Sequence, residues 1–442
     1  MTAAYARSHG SPAPGPREGL VLEPFRGLRF DAAKVPDLAA VTAPPYDVIE
    51  ADGVTQLESA HPYNVVRLIL PRADSPDSGE RYRQAARTLR AWRRDGVLVA
   101  DPTPALYVYE QRTPDALQRG LLGALGLRPP EDGIVLPHED VMPGLVADRL
   151  ELMRATRANL DPILLAYEGG GGASQIVDQV AIREPLLETT TDDGVTHRLW
   201  SVTDAEQLAT IGADLAPRQA MIADGHHRYA TYLRLQAERR SAGQGPGPWD
   251  YGLALLVDSA HYPLDVRAIH RVVPGLRPAE ALALTGQAFR VRAVTGDLDE
   301  GLAALGAQAR RGPALMLYGR AHGWPGEPGS RWVLSDPDAG LVEASMPRGH
   351  SRTWRLLGPA VLHFLLLDAL WQVPDTPQHV TYHHDVGAAL RQADHTAGTA
   401  VLLTAVAEET VRELAAAGER MPRKSTSFGP KPRTGFVLRT LA

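Results

Sequence analysis

Gln219-Ala220-Met221-Ile222-Ala223-Asp224-Gly225-His226-His227-Arg228-Tyr229-Ala230 reads as three elements in a row. Gln219 to Ala223 is a short apolar run of the kind a sheet buries, Gly225 is a turn residue, and a helical pattern continues to about Arg240. A glycine at a strand-to-helix turn lets backbone amides approach a ligand, and the helix start adds unpaired N–H groups and the positive end of the dipole. The stretch therefore predicts an anion-binding turn, with Gly225 for close approach, His226 and His227 as donors, and Arg228 as a bidentate clasp on a phosphate. The competing reading leaves Asp224 as a helix cap and the histidines as surface residues.

Outward from this turn, strands are expected at Ala105 to Tyr109, Leu121 to Leu127, Tyr251 to Val257, Ala314 to Tyr318, Trp332 to Leu334, Ala400 to Leu403 and Gly435 to Leu441. Helices are expected at Glu80 to Arg94, Val146 to Ala158, Asp204 to Leu215, Pro278 to Phe289, Pro359 to Trp371 and Glu408 to Ala417. In the first of these, Tyr82, Ala85, Ala86, Leu89 and Trp92 share one face. Alternating strands and helices without an internal repeat favour an α/β or α+β architecture, two-lobed, with mixed sheets and flanking helices. The pattern changes after Val272 to Leu276, which places a lobe boundary there and gives lobes of 20–272 and 273–442. Residues 1–19, rich in Ser, Pro and Gly, read as a disordered tail. Gly169 to Gly172 reads as a flexible loop, because no Gly-Lys-Ser/Thr follows it.

The 442 residues carry 46 Lys+Arg against 52 Asp+Glu, a net charge of −6, and no cysteine. That excludes disulfides, thiolate metal sites and a cysteine nucleophile. The apolar run Val361 to Val373 is interrupted by His363 and Asp368 and is shorter than the ~20 residues of a bilayer span. No basic block invites nucleic acid. These features lead us to expect a cytoplasmic protein with a small-molecule substrate and neither a membrane nor a nucleic-acid partner.

Two further stretches could carry chemistry. The loop Leu136 to Gly144 holds His138, Glu139 and Asp140, which could supply a general base or oxygen ligands for Mg²⁺. In the helix that follows, Glu151, Arg154 and Arg157 stand at i,i+3 spacing and read equally well as a solvated ion-pair ladder. The second stretch is Met421 to Arg433, where Lys424, Ser425, Thr426 and Lys431 form a polyanion-binding composition stiffened by prolines. Lysine is rare here: the chain has three, Lys34, Lys424 and Lys431, against 43 arginines. Where a compact point charge is wanted, arginine's planar fork does not substitute, so the lysine pair marks a loop expected to close over phosphates and to be removable without unfolding the core.

Pro24 to Arg29, Ala43 to Ile49, His61 to Leu68, Leu136 to Glu139, Ala147 to Asn159, Asp224 to Tyr229 and Met421 to Thr426, in this order, resemble the domain of unknown function 1015 family over about residues 20–442. Family members are similar to one another in a Pro-Thr-His-Arg segment where this chain reads Arg267-Ala268-Ile269-His270-Arg271. Through these motifs Tyr46, Asp47, Asp148, Arg149, Arg154, Arg157 and Asn159 become secondary site candidates. The Asp-Gly-His-His-Arg turn also resembles the helix start of the ParB and sulfiredoxin superfamily, whose members bind nucleotide phosphates there and include a free-serine kinase. That resemblance implies a ParB/sulfiredoxin-like element around residues 200–240 and phosphoryl transfer from ATP, ADP or pyrophosphate with Mg²⁺ to a small hydroxyl, free L-serine first among acceptors. In this reading Glu139, or alternatively Asp224, accepts the proton or holds the metal, with His138 beside them. Gly225, His226, His227, Arg228, Lys424, Ser425, Thr426 and Lys431 bind phosphate. A phosphohydrolase or a non-catalytic nucleotide-binding regulator would use the same anion site.

Overall fold

The computed structural model describes residues 19–73, 79–320 and 329–441, so the tail expected over residues 1–19 lies outside the described residues apart from Gly19. Two sheets organise the chain. The first has nine strands, eight of them in the order Val135–Leu136, Ala220–Asp224, Ile163–Tyr167, Tyr251–Asp258, Leu117–Gly126, Leu106–Arg112, Thr196–Val202, Leu187–Thr190, with Leu22–Glu23 also on Leu117–Gly126. Its pairings are antiparallel except at two places, where Ala220–Asp224 runs parallel to Val135–Leu136 and Tyr251–Asp258 parallel to Ile163–Tyr167. The central strands read as continuous apolar runs because helices cover the sheet; Leu253 to Val257 are all fully buried.

The second sheet has six strands in the order Arg290–Val294, Ser330–Ser335, Leu315–Gly319, Thr399–Leu402, His270–Val273, Thr381–His383. All its neighbouring strands pair antiparallel. The change of sheet falls between Ala268 and His270, a few residues before the break read from the sequence, because His270–Val273 pairs with Thr399–Leu402. Strand Asp265–Ala268 pairs instead with Thr426–Gly429 near the carboxy terminus. One cluster of buried apolar side chains runs from Leu255 and Leu256 through Met421 and Phe428 to Leu317, Val401 and the helix residues Leu365 and Leu366. The two sheets thus share a core.

The helix Glu80–Arg94 buries the five residues assigned to its inner face. The run from Val361 is a wide π-type helix, Val361–Leu370, whose Leu362, Leu365 and Leu366 are fully buried. No helix among the described residues is long and apolar enough to cross a membrane. The glycine run is not a free loop: the amides of Gly169 and Gly170 donate to the Asp258 carboxylate at 3.0 and 2.8 Å, and Gly172–Ala181 is a helix. An internal carboxylate fills the amide cradle that a phosphate would have needed.

Candidate functional site

Strand Ala220–Asp224 is buried throughout, and Gly225 turns it into the helix His226–Ser241. Gly225 holds φ at +97°, and a Cβ there would lie 2.7 Å from the Ile163 side chain, so both backbone and space demand glycine. The helix start opens on a cavity of about 450 Å³ between the two sheets. One wall carries Tyr46, Asp47, His138, Glu139 and the Asp224–Arg228 turn; the opposite wall carries Asp375, Thr376, Tyr382 and His384; the carboxy-terminal segment adds Arg423, Lys424, Thr426, Ser427 and Lys431.

Most charges on the first wall are already paired. Arg228, 4% exposed, donates to Asp224 at 2.5 Å and to the Pro162 carbonyl. Lys431 Nζ stands 2.5 Å from the other Asp224 oxygen and 2.9 Å from Asp47. Burial works to raise the Asp47 carboxyl, yet Lys431, Arg228 and Lys424 pull it down to about 2. Tyr46, pushed up to about 12 by burial, lies with its ring under Arg149 at 4.4 Å. Both terminal nitrogens of Arg228, expected to clasp a phosphate, are engaged within the protein, so the side chain braces the turn, and its Nε has no partner among the described residues. Asp224, gripped by two cations, is a brace in the same way and not a free base or metal ligand. Among the described residues no group of three or more His, Asp or Glu side chains could hold a metal ion.

The histidines are braces as well. His138, 1% exposed, donates from Nδ1 to the Ile222 carbonyl at 2.7 Å, which leaves Nε2 to accept from Thr426 Oγ1 at 3.2 Å. Burial lowers its pKa to about 4, so it stays neutral. His226 Nε2 accepts from the His138 backbone N–H at 3.2 Å, with its ring edge-on to that of His138, centroids 4.4 Å apart. His227 Nε2 accepts from the Met142 N–H at 3.0 Å. All three tie the loop after Leu136 to the strand and helix, which corrects the acid–base role expected of His138; in His226 and His227 the accepting Nε2 leaves the ring proton on Nδ1. The hydroxyls are similarly engaged: Ser425 donates to the Pro422 carbonyl and Thr426 to His138.

Glu139 and Lys424 remain. Glu139 Oε1 accepts from the Ser425 N–H at 3.3 Å, while its carbonyl accepts from Arg420 at 3.2 Å. Burial pushes the Glu139 carboxyl up to about 7, against the opposing charge of Lys424. Lys424 is exposed to the cavity and forms no ion pair among the described residues. It is one of the few non-glycine residues in the left-handed region, with φ at +57°. Its charge is felt at Glu139, Asp47, His227 and His384.

The secondary candidates divide. Tyr46 and Asp47 line the cavity. Asp148 bonds Arg149, Arg81 and Tyr82, and Arg154 joins Glu151 and Glu238 in a surface ladder. Arg157 is the exposed left-handed cap of its helix, and Asn159 accepts from Arg439 at 2.8 Å. None of these five, Arg149 included, lines the cavity. Sequence reasoning missed the second wall: Asp375, Tyr382 and the Arg271 behind it lie in segments with no motif except the His270–Arg271 pair. A larger cavity, about 630 Å³, lies away from this site around Gln308, His350 and Arg352.

Fold and site together define an α/β protein with a charged cavity between two sheets, floored by a helix start. The sequence profile of the family described as "Protein of unknown function (DUF1015)" matches residues 22–331, and the chain belongs to that family. No curated protein matches the chain in sequence. Among solved structures it is similar to a free serine kinase in complex with AMP, at 14% identity and a TM-score of 0.36 over 70% of this chain and 88% of that one. A variant of a free serine kinase in complex with ADP gives the same figures, 14%, 0.36, 70% and 88%. A conserved hypothetical protein from Pyrococcus furiosus is 15% identical with a TM-score of 0.33 over 67% of this chain and 87% of that one.

Proposed function

We propose that the chain is a nucleotide- or pyrophosphate-dependent phosphotransferase acting on the hydroxyl of a small metabolite. The observation that carries this is Glu139, a buried carboxyl in the same cavity as the start of helix His226–Ser241 and as Lys424, which has no ion pair among the described residues; burial pushes the Glu139 pKa up to about 7. A general base works best with a pKa near the operating pH. Phosphoryl transfer otherwise asks for positioning and positive charge around the transferred group. Lys424 supplies a compact cation, the amides of the helix start face the donor's phosphates, and Glu139 accepts the hydroxyl proton. Asp224, Arg228, Lys431 and the three histidines hold those groups in place.

A carboxylate beside the anion site supports turnover over a purely regulatory nucleotide pocket. The resemblance of the Asp-Gly-His-His-Arg turn makes free L-serine the first acceptor to try, with ATP, ADP and pyrophosphate as donors. Because Asp224 is already bound by two cations, Mg²⁺ would be carried on the donor's phosphates. The test is a thermal-shift screen over these donors, with and without Mg²⁺, followed by ³¹P NMR of a mixture with L-serine. The reading expects a donor-dependent rise in melting temperature and formation of a phosphate ester. Binding followed only by phosphate release would indicate a phosphohydrolase, and binding without turnover a regulator.

A further inference from the structure

Arg271 is a buried charge without a directly bonded carboxylate; Asp375 and Glu139 act on it only through space. It is 3% exposed, yet no carboxylate pairs with it among the described residues. An arginine taken out of water usually gains a carboxylate in return. This one donates instead to two backbone carbonyls, those of Ile269 and Arg423, the latter at 3.3 Å, and its guanidinium lies over the Tyr382 ring at 4.7 Å. Ile269, Tyr382 and Arg423 all line the cavity; Arg271 stands behind them. The two carbonyls come from segments about 150 residues apart in sequence, one entering the second sheet and one in the carboxy-terminal segment. A planar fork bridges them with donors in fixed directions, whereas a lysine would reach both from a single freely rotating point.

The carbonyl of Arg423 belongs to the peptide that leads into Lys424, the residue held at φ +57°. A non-glycine residue in that region persists only where its surroundings fix the backbone. On one side Ser425 is fixed by its bonds to Glu139 and Pro422; on the other Arg271 holds the Arg423 carbonyl.

We propose that Arg271 is a positioning residue for phosphoryl transfer: by clamping the Arg423 carbonyl it fixes the left-handed turn that aims Lys424 into the cavity. The role in transfer rests on the phosphotransferase reading above; the clamp itself does not.

The rarity of lysine makes the clamp directly observable, since the full chain labelled with [¹³C]lysine should show three ε-methylene signals. In Arg271→Gln the Lys424 signal should shift while those of Lys34 and Lys431 hold. The kcat for phosphoryl transfer should fall at least about 10-fold, with the donor KM within about 3-fold of the parent, because ground-state binding retains the amides of the helix start. If Arg271→Gln does not fold, Arg271→Lys keeps the buried charge, lacks the fork, and gives the same reading with a fourth signal. An unmoved Lys424 signal overturns the clamp. A shifted signal with parental kcat overturns its role in transfer. A shifted signal in a protein whose parent transfers no phosphate leaves the clamp standing and removes the phosphotransferase reading instead.

Discussion

At the residue scale the site divides into groups that hold and groups that are held ready. Arg228 belongs to the first kind, because removing its buried guanidinium leaves the Pro162 carbonyl without its donor and Asp224 with Lys431 as its one remaining cation. Arg228→Ala should therefore lower the free energy of unfolding by about 1–3 kcal/mol in urea titration, the range for a buried polar group that loses its partner. Glu139 belongs to the second kind. Its folded pKa, about 7, lies above the ordinary 4.5, so the folded state binds the proton more tightly than the unfolded chain does. The resulting stabilisation is full below pH ~4.5 and is lost as pH rises through about 7. Glu139→Gln, which cannot ionise, should melt higher than the parent at pH 8 and at the same temperature at pH 4. The sequence brought Glu139, Lys424 and the Asp224–Arg228 turn into view together. It could not say which were free, because a side chain's partners come from distant segments: Lys431 reaches Asp224 across more than 200 residues.

At the element scale, strand, glycine and helix were legible from residues 219–240 because each is a local pattern: an apolar run, a turn residue, a helical period. The helix Glu80–Arg94 was legible for the same reason. The carboxy-terminal segment was not. Its loop over 421–434, read as removable, is woven into the first lobe, where Thr426–Gly429 pairs with Asp265–Ala268 and Thr434 exchanges bonds with Ala43; the stretch after it, read as a strand, sets Leu438 on Leu28 and pairs Arg439–Thr440 with Ala158–Asn159. Phe428, Phe436, Val437 and Leu438 are all buried to 3% exposure or less. Each fully buried side chain of this kind is worth about 1.5–3 kcal/mol. A chain ending at Arg420 should therefore lose cooperative unfolding, or fail to stay soluble, when followed by circular dichroism on heating. A truncated chain with the parental transition would return the segment to the status of a loop.

At the scale of the whole molecule, the alternation of strands and helices gave the class, while the pairing of distant strands and the shared core needed the three-dimensional structure. Periodicity is local, and which strand lies beside which is not. The shared core also concentrates buried histidines. His138, His197 and His270 are each lowered by burial to about 4, and they sit in the site loop, the first sheet and the second sheet. A depressed histidine contributes stability that is complete above the ordinary 6.5 and is lost as pH falls toward the folded value of about 4. The melting temperature should accordingly drop steeply between pH 6.5 and 4, and His197→Gln, if folded, should flatten that slope. The central claim, that this cavity transfers a phosphoryl group with Glu139 as base, is tested most directly by Glu139→Gln under single-turnover conditions with donor, Mg²⁺ and L-serine, its donor affinity being measured in parallel by calorimetry. The account predicts transfer slowed about 10²–10⁴-fold with donor affinity within a few-fold of the parent; transfer at the parental rate would contradict it.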